Sequence, residues 1–378
     1  MDLNDIRVQI DSLDDEMVAL IKKRLDLAME VAKVKKEENL PIVNTARERA
    51  IINRLTQGEE DEIAGYIKIL YTTMFDLSRS HQAGYIYQDS VIGEKIKKAL
   101  DETPKVFPKS ATVACQGIEG ANSTAACEKM FERPSIVYFN TFDGVFSAVE
   151  KGLCEYGILP IENSLHGSVI ANYDLMNKHH FYIINSVKLK INHCLLAKSG
   201  TKKEEIKVIY SHEQALGQCS EMLKTMDVKV IPCENTAVAA KIVAESKEEG
   251  VAAISSKQCA GLYGLTVLEE NTQNNENNYT KFICISKKLE IYPGAKKISL
   301  MMTLPHKPGS LYEMIAKFSA LGINLTKLES RPIPNKDFEF MFYFDLDVSV
   351  YDAAVYNLFA QLEHSAEEFE FMGCYTEV

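Results

Sequence analysis

Between Asp5 and Lys36 the chain contains neither proline nor glycine. Apolar residues recur there as Ile6, Ile10, Leu13, Met17, Leu20, Ile21, Leu27, Val31 and Val34, the spacing of one helix face. Roughly 32 residues at 1.5 Å each predict a helix of about 48 Å. A small domain cannot cover so long a stripe, so the helix needs a bundle or a partner chain. Pro41 ends it. Thr45–Glu48, "TARE", predicts a capping box opening a second helix to about Leu55, and a third is expected from about Asp61 to Gln82. Residues 1–88 are therefore expected to form an all-helical domain.

The pattern then changes. Residues 89–109, with Pro104, Pro108 and mixed charge, read as a linker. Over residues 110–287, β-rich runs such as "YGILPI", "KVIYS", "VAAIS" and "KFICIS" alternate with helical stretches. That alternation predicts an α/β domain with a largely parallel sheet. Residues 296–378 read in the order βαββαβ, a ferredoxin-like plan. A multidomain protein suits a length of 378 residues.

The bulk chemistry excludes several classes. A net charge of −11 without a long basic run argues against nucleic acid as a partner. No apolar run approaches the ~18 residues of a membrane span. Nine scattered cysteines without CxxC spacing fit the reduced thiols of a cytoplasmic protein. Walker, GxSxG and dinucleotide fingerprints and metal-ligand spacings are lacking, so neither cofactor nor metal is expected.

In the helical region, Arg24 and Lys35 are eleven residues apart and share a helix face about three turns apart. Two such cations suit a ligand with separated carboxylates. Arg7 lies about 100° around the same helix, and Ser78 and Gln82 share a face of the third helix. Singly these are ordinary surface residues, and Glu48 alone is a capping acid. Together, "IDSLDDEMVALIKKRLDLAMEVAKVK" followed by "ARER" resembles the all-helical class of chorismate mutases. The resemblance implies rearrangement of chorismate to prephenate, with Arg7 (from a partner subunit), Arg24 and Arg47 gripping carboxylates. It implies that Lys35 and Gln82 donate to the ether oxygen, that Glu48 accepts from the ring hydroxyl, and that Ser78 lines the site. Asn44 stands where that family usually has an acid, and as a substrate-binding amide it is expected to tune the site.

In the α/β region, "PIENSLHGSV" and "YSHEQALGQC" follow strands, where such folds bind ligands. With "NYTKF" they resemble prephenate dehydratase. The resemblance implies two α/β subdomains like a periplasmic binding protein, with the site in their cleft, and loss of CO2 and water from prephenate to give phenylpyruvate. It assigns the leaving hydroxyl to Thr280, with Glu162 or His212 feeding the proton. Asn163, Ser164, Ser211 and Gln218 would line the cleft, while Gln214 and Cys219 pack. Ser211 and His212 also suit a plain helix cap. Lys281 replaces the family's usual arginine and is expected to touch substrate or to brace Thr280. If "YTKFICIS" is a strand, alternation puts Thr280 and Phe282 on one face and Lys281 on the other.

"PGSLYEM" and "NLTKLESRP" resemble the ACT regulatory domain. By that resemblance Gly309, Ser310, Leu311, Glu329, Ser330 and Arg331 bind L-phenylalanine as effector in a homodimer or homotetramer. Two rival readings stay open: only one live activity, or a non-catalytic amino-acid sensor. The sensor would have no use for Thr280 or for the aligned Arg24 and Lys35.

Overall fold

The computed structural model describes residues 2–86, 90–333 and 339–378, apart from the side chains of residues 353 and 354. The expected boundary at 88/89 and the start of a strand at Phe338 lie outside the described residues. The chain begins with α1 (Leu3–Glu37), α2 (Thr45–Thr56), α3 (Asp61–Ile86) and α4 (Val91–Glu102). Asp2 caps α1, its carboxylate accepting from the N–H groups of Asn4 and Asp5. The predicted "TARE" box is displaced by one residue. Asn44 caps α2 by accepting from Arg47 N, which leaves Thr45 inside the helix and Glu48 free for another partner. The expected linker holds α4, started by Ser90, whose Oγ accepts from Gly93 N. Its Ile92, Ile96 and Ala99 are buried on one face, a periodicity that two nearby prolines obscured.

Next come β1 (Thr112–Gln116), α5 (Asn122–Met130), β2 (Ser135–Phe139), α6 (Phe142–Glu150), β3 (Tyr156–Asn163), β4 (Gly167–Ser168), α7 (Ile170–His179), β5 (Tyr182–Lys190) and β6 (Cys194–Ala197). They are followed by β7 (Val208–His212), α8 (Glu213–Gln218), α9 (Ser220–Lys224), β8 (Lys229–Cys233), α10 (Thr236–Glu245), β9 (Val251–Ser255), α11 (Lys257–Tyr263), β10 (Thr266–Glu269) and β11 (Tyr279–Ser286). The strands make two sheets, as two subdomains require, and both are mixed where a largely parallel sheet was expected. One runs β5-β11-β3-β1-β2, with β11 antiparallel to both neighbours; the other runs β10-β6-β9-β7-β8. Antiparallel β11 enters because the chain returns to the first sheet after completing the second. Each sheet has its own core. Val113, Phe131, Ile158 and Phe282 pack together on the first, and Leu196, Ala239, Val243 and Ala253 on the second.

The chain ends with β12 (Lys297–Thr303), α12 (Ser310–Ala320), β13 (Asn324–Pro332), β14 (Phe340–Asp347), α13 (Ala353–Ser365) and β15 (Glu368–Glu377), the βαββαβ order expected. Two compact units result: residues 1–101 with 296–371, and residues 102–295 with 372–378. In the second unit the tail adds Thr376 and Glu377 in parallel to β5.

Gly157 in β3 permits a close approach of α6 to the sheet. A Cβ there would sit 2.8 Å from Val145 Cγ1 and 3.0 Å from Ile285 Cγ1. Gly157→Ala is expected to cost ~1–3 kcal/mol through overpacking. A lower denaturant midpoint at unchanged m-value would register it.

Candidate active sites

The first site is built from helices. Arg24 on α1 donates from Nη1 to Ser78 Oγ on α3 at 2.6 Å, and its guanidinium stands over the Phe75 ring at 5.6 Å. Eleven residues on, Lys35 Nζ reaches Gln82 Oε1 at 3.4 Å and donates to Ile42 O at 2.6 Å. Ser78 and Gln82 are buried. Glu48, in the first turn of α2, takes an ion pair from Arg79 Nη1 at 2.6 Å. Burial lowers the Lys35 pKa, and the Glu48 carboxylate opposes that shift. Arg24, Lys35, Glu48, Ser78 and Gln82 thus converge, two cations facing an amide, a hydroxyl and one acid.

Two expected members are placed differently, and Arg7, expected from a partner subunit, lies apart from the others. Asn44 spends its side-chain oxygen on capping α2. Arg47 is exposed on α2. Arg7 is exposed, 17 residues before Arg24 and so about 26 Å away along α1. Arg79 was missed; it looks like any arginine of a polar helix face until α2 folds against α3.

The second site is a cavity of about 480 Å³ in the α/β unit. Thr280 and Phe282 of β11 line it, with Pro160 and Asn163 of β3, His212, Gln214 and Gln218. Pro160 and Asn163 differ in parity, and a regular strand would point them oppositely. The register between β3 and β11 skips Ile161, a bulge that turns both to the cavity. Asn163 Nδ2 donates to Thr280 Oγ1 at 2.9 Å and to Asn278 Oδ1 at 2.9 Å. Its Oδ1 accepts from the N–H groups of Leu165 and His166, which fixes the amide. Because Thr280 Oγ1 accepts from Asn163, its own O–H can point into the cavity. Behind this pair, Gln218 Oε1 accepts from Asn278 Nδ2 at 3.0 Å and meets His193 Nε2 at 2.8 Å.

Other expected members face away. Ser211 is fully buried and donates to Ile254 O at 2.7 Å. Ser164 Oγ donates to Asn277 O and accepts from Tyr279 N. Glu162 is paired across the ladder with Lys281 and does not line the cavity. Lys281, expected to touch substrate or to brace Thr280, lies on the strand face opposite Thr280, as alternation predicts. It is buried, 3.9 Å from Glu377 Oε2 and 5.7 Å from the Tyr375 ring centroid. Gln214, expected to pack, lines the cavity. His193, Gln116, Ser123, Asn235, Thr236 and Asn278 were missed. The last lay within the amide run before β11, and His193 looked like the first residue of a buried strand.

A third cavity, about 380 Å³, lies in the βαββαβ region. It is lined by His306, Lys307, Pro308, Ser310, Leu311, Phe340 and Phe342, among others. Gly309, at φ 90°, precedes α12 without a side-chain cap, so first-turn N–H groups are left for a ligand. Ser310 Oγ is buried and finds no hydrogen-bond partner among the described residues. Glu329, Ser330 and Arg331 lie on β13 and do not line this cavity; Ser330 is paired with Phe342 one strand over.

Burial lowers the pKa of His193 and of His212. As pH falls through the ordinary value of 6.5, the unfolded chain binds protons that the folded chain does not. Stability is therefore expected to fall with pH below 6.5, and His193→Gln should flatten that slope, as read from denaturation midpoints across that range.

Residues 6–83 match the family chorismate mutase type II, and residues 113–290 match prephenate dehydratase. The chain is 31% identical over 383 residues to the bifunctional chorismate mutase/prephenate dehydratase of Escherichia coli K12, covering 98% of this chain and 95% of that one. It is 37% identical over 279 residues to the chloroplastic arogenate dehydratase/prephenate dehydratase 1 of Arabidopsis thaliana, 70% of this chain and 71% of the other. The crystal structure of the Arthrobacter aurescens prephenate dehydratase in complex with L-Phe superposes with a TM-score of 0.64 at 28% identity. It covers 70% of this chain and 90% of that chain. Helical cations at one end, a threonine-bearing cleft in the middle and near full-length similarity lead to one conclusion: the chain belongs to the bifunctional chorismate mutase/prephenate dehydratases.

Proposed function

We propose that the two reactions use the two sites just described: the helical site for chorismate and the cavity around Thr280 for prephenate. The protein rearranges chorismate to prephenate and converts prephenate to phenylpyruvate. The first step is pericyclic and needs no nucleophile; it needs a folded substrate and donors where charge grows on the ether oxygen. Arg24 grips a carboxylate, Lys35 and Gln82 face the ether oxygen, and Glu48 accepts from the ring hydroxyl. The observation that carries this reading is the convergence of Arg24 on Ser78 and Lys35 on Gln82.

In the second step the ring carboxylate departs as CO2 and its bonding electrons complete the aromatic ring. The ring hydroxyl leaves with one proton as water. Thr280, accepting from Asn163, is oriented to donate to that leaving oxygen. A threonine hydroxyl is too weak an acid to supply the proton alone. His212 lines the same cavity and Glu162 does not, which favours His212 as the group passing it on.

The third cavity is the regulatory site, and the βαββαβ region is an ACT domain. The Gly309 turn takes the carboxylate of L-phenylalanine and Phe340 and Phe342 flank its ring; the relative solved in complex with L-Phe supports the choice of ligand. The protein works as a homodimer. Leu13, Leu20, Leu27 and Val31 are exposed along α1, an apolar stripe suited to a second copy, from which Arg7 would enter the mutase site. Among the described residues no helix is long and apolar enough to cross a membrane. Nine free cysteines, eight of them buried, fit a cytoplasmic setting.

Thr280→Ala should abolish phenylpyruvate formation while chorismate loss continues, and Lys35→Ala should do the reverse when prephenate is supplied. Both follow from one assay of chorismate, prephenate and phenylpyruvate; a single variant stopping both steps would sink the two-site reading. Phe340→Ala should weaken inhibition of the dehydratase by phenylalanine roughly tenfold or more, seen as a shifted inhibition curve at unchanged basal rate.

A further inference from the structure

Helix α2 carries Arg47 and Glu48, yet among its residues none is fully buried. A helix with so little core cannot fix its first turn by packing alone. What ties that turn down is Arg79 of α3. Its Nη1 pairs with Glu48 at 2.6 Å and its Nη2 with Asp76, so one planar fork holds two carboxylates. The Arg79 side chain is only 20% exposed, so the pair is not a solvated ornament.

Helix α3, which carries Arg79, packs against α12, the helix that begins at the Gly309 turn. Glu313 and Lys317, one turn apart on α12, both act electrostatically on Arg79 and Asp76. Lys317 is also held by α13, donating to Ser365 Oγ at 2.6 Å. Burial, with Arg79 nearby, lowers its pKa to about 8, while Glu313 and Asp76 oppose the shift. The second oxygen of Asp76 is buried and has no hydrogen-bond partner among the described residues. Glu48 and Asp76 are therefore ion-paired to one guanidinium, while Glu313, 3.9 Å from Lys307 Nζ, and Lys317 add the charges of α12 to its field.

We propose that Arg79 is a positioning residue of the mutase site, holding the Glu48 carboxylate in place by an ion pair whose geometry depends on α12 being docked against α3. The proposal rests on the reading of Glu48 as an acceptor for the substrate hydroxyl. Arg79 itself touches no substrate. Without it, Glu48 keeps its charge but loses its fixed direction, and α2 loses its tether.

The test is mutase kinetics on the full-length chain, with prephenate turnover by the same preparations as an internal control. Arg79→Met should lower mutase kcat/KM roughly tenfold or more, chiefly through KM, because a hydroxyl contact is made in ground and transition states alike. Arg79→Lys should recover part of the loss. In the Glu48→Gln background, Arg79→Met should add little, since the two act as a unit. Glu313→Lys, outside both catalytic sites, should lower mutase kcat/KM in the native background and change nothing once Arg79 is Met. Normal mutase activity in Arg79→Met beside an impaired Glu48→Gln would overturn the role of Arg79 alone. Full activity in Glu48→Gln would overturn the reading of Glu48 on which it rests. Additive losses, or a parallel fall in prephenate turnover, would mark Arg79 as merely structural. No effect of Glu313→Lys would remove α12 from the proposal.

Discussion

The cavity of the α/β unit depends on one antiparallel strand. β11 runs between β3 and β5 and is hydrogen-bonded to both, so its side chains have two directions and no others. Thr280 and Phe282 face the cavity; Lys281 faces the tail, beside Glu377 and Tyr375. The bulge at Ile161 of β3 brings Asn163 to the same side as Thr280. A one-residue slip in this ladder would exchange hydroxyl for ammonium in the cavity.

The helical site is built by another logic. It asks for no strained backbone and no acid–base pair, only for cations and hydrogen-bonding groups held where charge develops. Long helices supply that through periodicity, since residues three turns apart on α1 meet residues one turn apart on α3. The weak member is α2, short and without a fully buried residue. Its acid is placed by charge, through Arg79, where the others are placed by packing.

Much of this was legible in the residues. The stripe of α1 and the βαββαβ order follow from local spacing and turn chemistry, which act within a few residues; α1 itself ends at Glu37, ahead of Asn39 at φ 54° and not at Pro41. Arg24, Lys35, Ser78 and Gln82 were legible because helix periodicity carries their direction. The cap of α2 falls on Asn44 and not Thr45 because two adjacent polar residues compete for it, a choice of about one hydrogen bond. Ser211 and Glu162 were misread because a motif names a segment without saying which way each residue of it faces.

The amino-acid sequence by itself determined the element types, the two families of chemistry and the face that Thr280 shares with Phe282. These rest on local periodicity and on residue types that suit few reactions. Only the tertiary structure decided that His193, Gln218, Asn278, Asn163 and Thr280 form one hydrogen-bonded line. Only it placed Arg79 between Glu48 and Asp76, and the Ile161 bulge beside the cavity. Those contacts join residues up to 117 positions apart, and their register is set by how sheets and helices pack, which no local pattern encodes.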